Sequence, residues 1–173
     1  MRVAIIGQGY VGLTIAVGAA RAGHKVVGFD VNPDLVKALN SGVSHIEGIS
    51  DSALKSLLSN NTYTASTDAS SVNGCDVIVI AVPTPLTESR NPDLSFVHAA
   101  ADLIAKNAKS AALVINESTS YPGTLRKEIA ARITGVAHLY ASSPERVDPG
   151  NIQWGTKNTP RLIGGLTPTA VAN

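Results

Sequence analysis

The chain has 173 residues, 44% of them hydrophobic and 16% charged, which gives it enough apolar surface for a sizeable core and excludes a disordered chain. A net charge of +1 excludes a strong electrostatic pull toward nucleic acid or an acidic membrane, and the single cysteine, Cys75, excludes an internal disulfide. The opening MRVAIIGQG has one basic residue and a very short apolar run, and no run is long enough to span a bilayer, so a cytoplasmic protein without a signal peptide is expected.

Short apolar runs alternate with helical patterns. A strand over residues 2–6 leads through GQGYVG into a helix over 11–22, with Gly23 where a C-terminal cap belongs. A second strand over 25–29 ends in GFDVN. There Asn32 suits an N-cap and Pro33 the first turn of a helix over 33–41, followed by Gly42. A helix over 52–58 and strands over 63–65 and 77–82 come next. A helix over 94–108, a strand over 112–116, a helix over 123–133 and a strand over 138–141 complete the alternation. The strands are nearly all apolar, as parallel strands buried on both faces are. The pattern predicts an α/β fold, a Rossmann-type doubly wound parallel sheet in a single domain. Residues 161–163 read as one more short strand ending at Gly164-Gly165, and LTPTAVAN reads as a helix entrance. The expected division is a dinucleotide-binding domain over 1–165, with 166–173 starting a connection to a further helix and domain.

Gly7, Gly9 and Gly12 form a G-x-G-x-x-G between a strand and a helix. In that context Gly7 makes the tight turn, Gly9 lets a pyrophosphate approach the backbone N–H groups, and Gly12 lets helix and strand pack closely. Asp30 follows Gly12 by eighteen residues at the end of the second strand, where a carboxylate accepts hydrogen bonds from adenosine ribose hydroxyls and repels a 2′-phosphate. NAD is therefore expected over NADP; the alternative for Asp30 is a turn or helix cap.

Ligands of open parallel sheets bind beyond the carboxyl ends of the strands. Val82-Pro83-Thr84-Pro85, Glu117-Ser118-Thr119 and Ser142-Ser143-Pro144-Glu145-Arg146 should therefore share one edge with the glycine loop. Thr84 and Thr119 offer hydroxyls to a ribose, amide or water; Thr119 could instead cap the next helix. Glu145 suits a general base or a water-positioning group, or a rim carboxylate paired with Arg146. Arg146 suits bidentate recognition of a phosphate or carboxylate, and Asp148 suits a turn. His24, His45, His98 and His138 have no metal-ligand spacing and read as structural, as does Cys75 before an apolar strand.

GQGYVGL, GFDVN, VPTPL, NESTSYPGT, SPERVDPGN and PRLIGG together resemble the N-terminal domain of the UDP-glucose/GDP-mannose dehydrogenase family, in order from residue 1 to about 165. The last two segments are most similar to the branch acting on UDP-N-acetylglucosamine and UDP-N-acetylmannosamine. The resemblance implies oxidation of a sugar C6 alcohol to a carboxylate in two NAD-dependent steps, through a cysteine-linked thiohemiacetal and thioester. It further implies that Gly7, Gly9, Tyr10, Val11 and Gly12 hold the pyrophosphate and Asp30 the adenosine ribose, while Val82, Pro83 and Thr84 line the nicotinamide side. Thr119 would contact cofactor and position a water, Glu145 would move protons or activate water, and Arg146 would face the UDP-sugar substrate. The sequence departs from the family pattern in two ways. Leu35 stands where many members carry a basic residue, and the family's catalytic cysteine motif, which lies beyond the dinucleotide domain, is not in these residues. A homodimer is expected of the full-length protein, and no turnover of this chain alone. The competing expectations are a stand-alone NAD-binding regulatory module and a β-hydroxyacid dehydrogenase relative.

Overall fold

The computed structural model describes residues 1–146 and 158–172. Seven strands form one sheet: β1 (Arg2–Ile6), β2 (Lys25–Phe29), β3 (Tyr63–Ser66), β4 (Val77–Ile80), β5 (Leu113–Asn116), β6 (Leu139–Ser142) and β7 (Gly164–Gly165). Their order is β3-β2-β1-β4-β5-β6-β7. The first six are parallel and β7 runs antiparallel to β6. The order reverses between β1 and β4, and that switch point opens a crevice at the carboxyl ends of both strands.

Successive side chains of a strand point to opposite faces, and the central strands are apolar on both. Val3 and Ile5 pack under α1 (Tyr10–Arg21), α2 (Pro33–Asn40) and α3 (Asp51–Ser59). Ala4 and Ile6 face the opposite layer, covered by α4 (Ser95–Asn107) and a π-helical segment, Leu125–Ala130. A short 3-10 turn, Ala69–Val72, buries Val72 against that second layer, with Asp68 accepting from Ser70 N (2.9 Å). Its four residues are too few for a periodic signal, so the sequence pattern passes over it. The expected cap of α2 forms: Asn32 Oδ1 accepts from Asp34 N (3.0 Å) and Leu35 N (3.2 Å), with Pro33 opening the helix. The helix expected over 123–133 is shorter and wider-turned than predicted, though Ile129 still plugs it into the core.

Two strand boundaries differ for reasons that lie outside the strands themselves. β4 stops at Ile80 rather than 82 because Val82 N donates to Ser118 Oγ (2.9 Å) and Ser118 Oγ donates to Val82 O (2.8 Å), so a side chain takes the backbone groups a strand would use. The last strand is Gly164–Gly165 rather than 161–163, and it is antiparallel, not part of the parallel alternation. Arg161 turns inward to carboxylates at the sheet edge, which leaves Leu162 and Ile163 exposed outside the ladder. Pro168–Ala172 forms the short α5 against β6 and β7.

His138 enters β6 buried, its Nδ1 accepting from Ala112 N at 3.1 Å, while Nε2 is buried without a partner among the described residues. Burial lowers its pKa from the ordinary histidine value. The folded state therefore prefers the neutral ring, so this part of the stability is intact above the unfolded pKa and falls away as pH drops below about 6.5. In denaturant titrations across that range, His138→Asn, whose Oδ1 can take over the acceptor role, should lose less stability on acidification than the wild type. Equal losses would assign the acid sensitivity to other groups.

Candidate functional site

A cavity of about 600 Å³ lies over the switch point. One end is built by the glycine loop. Gly7 holds φ +92°, and a Cβ there would stand 2.4 Å from Ala81 O, so the turn wedges between β1 and β4 with no room for a side chain. A Cβ on Gly12 would stand 1.8 Å from Gly7 O, the contact that seats α1 on the loop. Gly12 is buried and outside the cavity wall, so it supports the loop from beneath, whereas Gly7, Gly9, Tyr10 and Val11 face the cavity. At Gly9 a Cβ would meet nothing within 4 Å, and α1 has no side-chain N-cap. The N–H groups of its first turn, unpaired by helix geometry, open onto that free space with the positive end of the helix dipole.

Asp30 closes this end. Its Oδ2 accepts from Gln8 N (2.8 Å) and its Oδ1 from Asn32 N (3.0 Å). The turn-cap alternative is thus true in part, yet each oxygen keeps a lone pair for a ribose hydroxyl, and Asp30 lines the cavity. Leu35 also lines it, giving this end an apolar wall.

The other end gathers the later strand termini. Val82, Pro83 and Thr84 after β4, Glu117, Ser118 and Thr119 after β5, and Glu145 after β6 all reach the same cavity. Thr119 is exposed there and does not cap the next helical segment, which opens at Thr124 without a side-chain cap. One face of α4 completes the wall with Phe96, Ala99, Ala100 and Leu103. That spacing is one helical stripe, legible in the sequence as amphipathicity though not as a site; Phe96 is 48% exposed toward it.

The charges differ from the sequence reading. Glu145 pairs with Arg161, Nη2 to Oε2 at 2.8 Å, and Arg161 Nη1 also bonds both oxygens of Glu117 at 2.9 and 2.8 Å. Arg146, the partner expected for Glu145, gives it a backbone N–H (2.7 Å); among the described residues its side chain makes no ion pair with Glu145, is exposed and does not line the cavity. Neighbours along an extended chain face opposite ways, so a residue adjacent to Glu145 is poorly placed to pair with it. Burial raises the Glu117 pKa, Arg161 opposes that, and the Glu145 charge adds to it. Nothing local in the sequence links Glu117 to an arginine 44 residues later. Asp148 and the rest of its turn lie outside the described residues. Cys75 is buried at the opposite end of β4, and burial raises its thiol pKa, as a structural cysteine requires. Among the described residues no cluster suits a metal ion, and no helix is long and apolar enough to cross a membrane.

A doubly wound parallel sheet, a glycine loop opening a helix at its switch point and an acidic residue at the end of the second strand together define a dinucleotide-binding domain. Residues 1–173 match the family described as the UDP-glucose/GDP-mannose dehydrogenase family, NAD binding domain, and the chain belongs to that family. It is 38% identical to the UDP-N-acetyl-D-mannosamine dehydrogenase of Pyrococcus horikoshii over 98% of this chain and 42% of the relative. That enzyme's solved structure superposes with a TM-score of 0.90. A UDP-glucose dehydrogenase structure from Pyrobaculum islandicum gives 0.91 at 34% identity, over 99% of this chain and 42% of that one. The UDP-N-acetyl-D-glucosamine 6-dehydrogenase of Pseudomonas aeruginosa is 31% identical over 97% of this chain and 40% of its own length. The chain thus spans about two-fifths of the length of these relatives. The cofactor of the family is NAD, and the loop, the open space above Gly9 and Asp30 fit it.

Proposed function

We propose that this chain is the NAD-binding domain of a cytoplasmic nucleotide-sugar 6-dehydrogenase that converts a UDP-N-acetylhexosamine to its uronic acid, a precursor for polysaccharide synthesis. One observation carries the reading: a single cavity has the pyrophosphate loop and Asp30 at one end and Thr84, Thr119 and Glu145 at the other. NAD, when bound, accepts the hydride. The N–H groups of the α1 first turn hold the pyrophosphate, Asp30 holds the adenosine ribose, and Val82, Pro83 and Thr84 set the nicotinamide face. Glu145, paired with Arg161, takes a proton or orients a water, with Thr119 placing that water. Arg146, exposed beside Glu145, meets the UDP-sugar. Cys75 lies at the far edge of the sheet, so the thiol for covalent chemistry comes from residues beyond this sequence, and turnover needs them. The full-length protein is proposed to act as a homodimer.

Calorimetry with NAD and NADP tests the cofactor end. NAD should bind and NADP bind far more weakly. Asp30→Ala should weaken NAD by about tenfold to a hundredfold, since charged hydrogen bonds contribute about 1.5–3 kcal/mol. Equal affinity of wild type and variant would remove Asp30 from the site. A full-length protein that reduces NAD with a UDP-N-acetylhexosamine would support the substrate class, and one that reduces it only with other nucleotide sugars would overturn it.

A further inference from the structure

One buried polar chain lies outside the roles described above. Gln8, the second residue of the glycine loop, is 0% exposed and runs back into the apolar layer beneath α1. Its Nε2 donates to Ile5 O and Gly7 O, both at 3.0 Å, and its Oε1 accepts from the Tyr63 hydroxyl at 2.9 Å. Tyr63 is 2% exposed on β3, two strands away from β1. The path crosses β2 at Gly28, where a Cβ would stand 2.3 Å from Gln8 Oε1, so only glycine leaves the channel open. The Gln8 backbone N–H meanwhile binds Asp30 Oδ2. Burial, with the Asp30 charge adding to it, pushes the Tyr63 phenol well above its usual range, so it stays a hydrogen-bond donor at any working pH.

We infer that Gln8 and Tyr63 form a latch that fixes the pyrophosphate loop and the Asp30 carboxylate in their binding geometry before NAD arrives, making both positioning residues for the cofactor. Both amide hydrogens and the carbonyl oxygen of Gln8 are engaged, so the side chain has one orientation. That orientation sets the peptide between Gln8 and Gly9, which leads into the first turn of α1. The same residue's N–H sets the carboxylate on β2. Affinity for NAD follows because a loop already in place loses no freedom on binding. An ordinary buried glutamine would stabilise the fold and leave the affinity of the folded protein unchanged, and this difference makes the inference testable.

The inference rests on the reading of this loop as the NAD site, so two measurements separate them. Without cofactor, amide exchange at Gln8 should be slow in the wild type and clearly faster in Tyr63→Phe, which removes one oxygen at the far end of the latch. With cofactor, calorimetry on folded Tyr63→Phe and Gln8→Leu should show NAD bound about tenfold more weakly, the equivalent of about 1.4 kcal/mol. The double variant should bind no more weakly than Gln8→Leu alone, because the two act as one unit. Val72→Ala, a cavity in the other layer, should lower the melting temperature and keep wild-type affinity. The latch is overturned if Gln8 exchange is unchanged in Tyr63→Phe, if NAD affinity in the folded variants stays within about twofold of wild type, or if affinity falls in step with stability across all variants including Val72→Ala. Slow exchange at Gln8 in a wild-type chain that binds no NAD would instead sink the cofactor reading, and the positioning role with it.

Discussion

Replacing Gly12 with alanine should abolish detectable NAD binding and lower the melting temperature by about 2–12 °C, from an overpacking cost of roughly 1–3 kcal/mol and a loss of about 2–4 °C per kcal/mol in a domain of this size. The added methyl would lie 1.8 Å from Gly7 O and 2.9 Å from Gly7 C, both backbone atoms that cannot rotate away. The loop is also packed on its other side, where even a Cβ on Gly7 would stand 2.4 Å from Ala81 O. Helix α1 must then lift, which uncovers Leu13 and Ala16, both fully buried against the sheet. Its first-turn N–H groups move with it, away from the place where a pyrophosphate would meet them.

Gly9→Ala provides the contrast. A Cβ there meets no protein atom within 4 Å, so stability should change by less than about 0.5 kcal/mol. If the space above Gly9 belongs to the pyrophosphate, the same methyl should still reduce NAD affinity sharply. Thermal melts and calorimetry on the two variants distinguish a glycine needed by the fold from one needed by the ligand. A Gly9→Ala protein with wild-type affinity would move the pyrophosphate elsewhere.

Arg161→Leu should destabilise the domain by about 3 kcal/mol at neutral pH, near the lower end for breaking a buried ion pair because the arginine keeps some contact with solvent. The side chains of Glu117 and Glu145 are 8% and 11% exposed, and Arg161 is 22% exposed. Leucine would leave two carboxylates close together under the cavity, without the cation that now binds both. Burial already raises the Glu117 pKa and Arg161 opposes that, so without the arginine it would rise further above the unfolded value of about 4.3. The folded state then binds more protons than the unfolded state, so the variant's stability is greatest at acid pH and is lost as pH rises through and beyond that unfolded value. Denaturant titrations from about pH 4.5 to 7.5 should show the gap between variant and wild type widening with pH. Glu117→Gln in the Arg161→Leu background should restore part of the loss by removing one of the two charges. A gap independent of pH would mean that the arginine acts through packing alone.

Most of the architecture is written locally. RVAII, KVVGF and VIVI can only be strands buried on two faces, GQGYVG can only turn tightly into a helix, and Asn32-Pro33 caps the helix it precedes. These features depend on contacts between near neighbours, on backbone sterics and on apolar periodicity, so the sequence by itself determined the succession of strands and helices along the chain, the loop and the position of Asp30. The wall of the site at the ends of β4 and β5 was also foreseeable, because parallel strands send all their carboxyl ends to one edge.

The tertiary structure decided the pairings between distant residues. Arg161 finds Glu117 and Glu145 because β7 returns antiparallel to β6 and brings residue 161 back across the sheet edge. Gln8 reaches Tyr63 because β2 offers a glycine at the crossing point. Ser118 ends β4 early from the turn after the neighbouring strand. Each is a hydrogen bond or ion pair whose partners lie 16 to 55 residues apart, and such a bond leaves no periodic trace in either segment. Periodicity records which face of an element is buried; which polar group meets which in that interior is settled only when the elements pack.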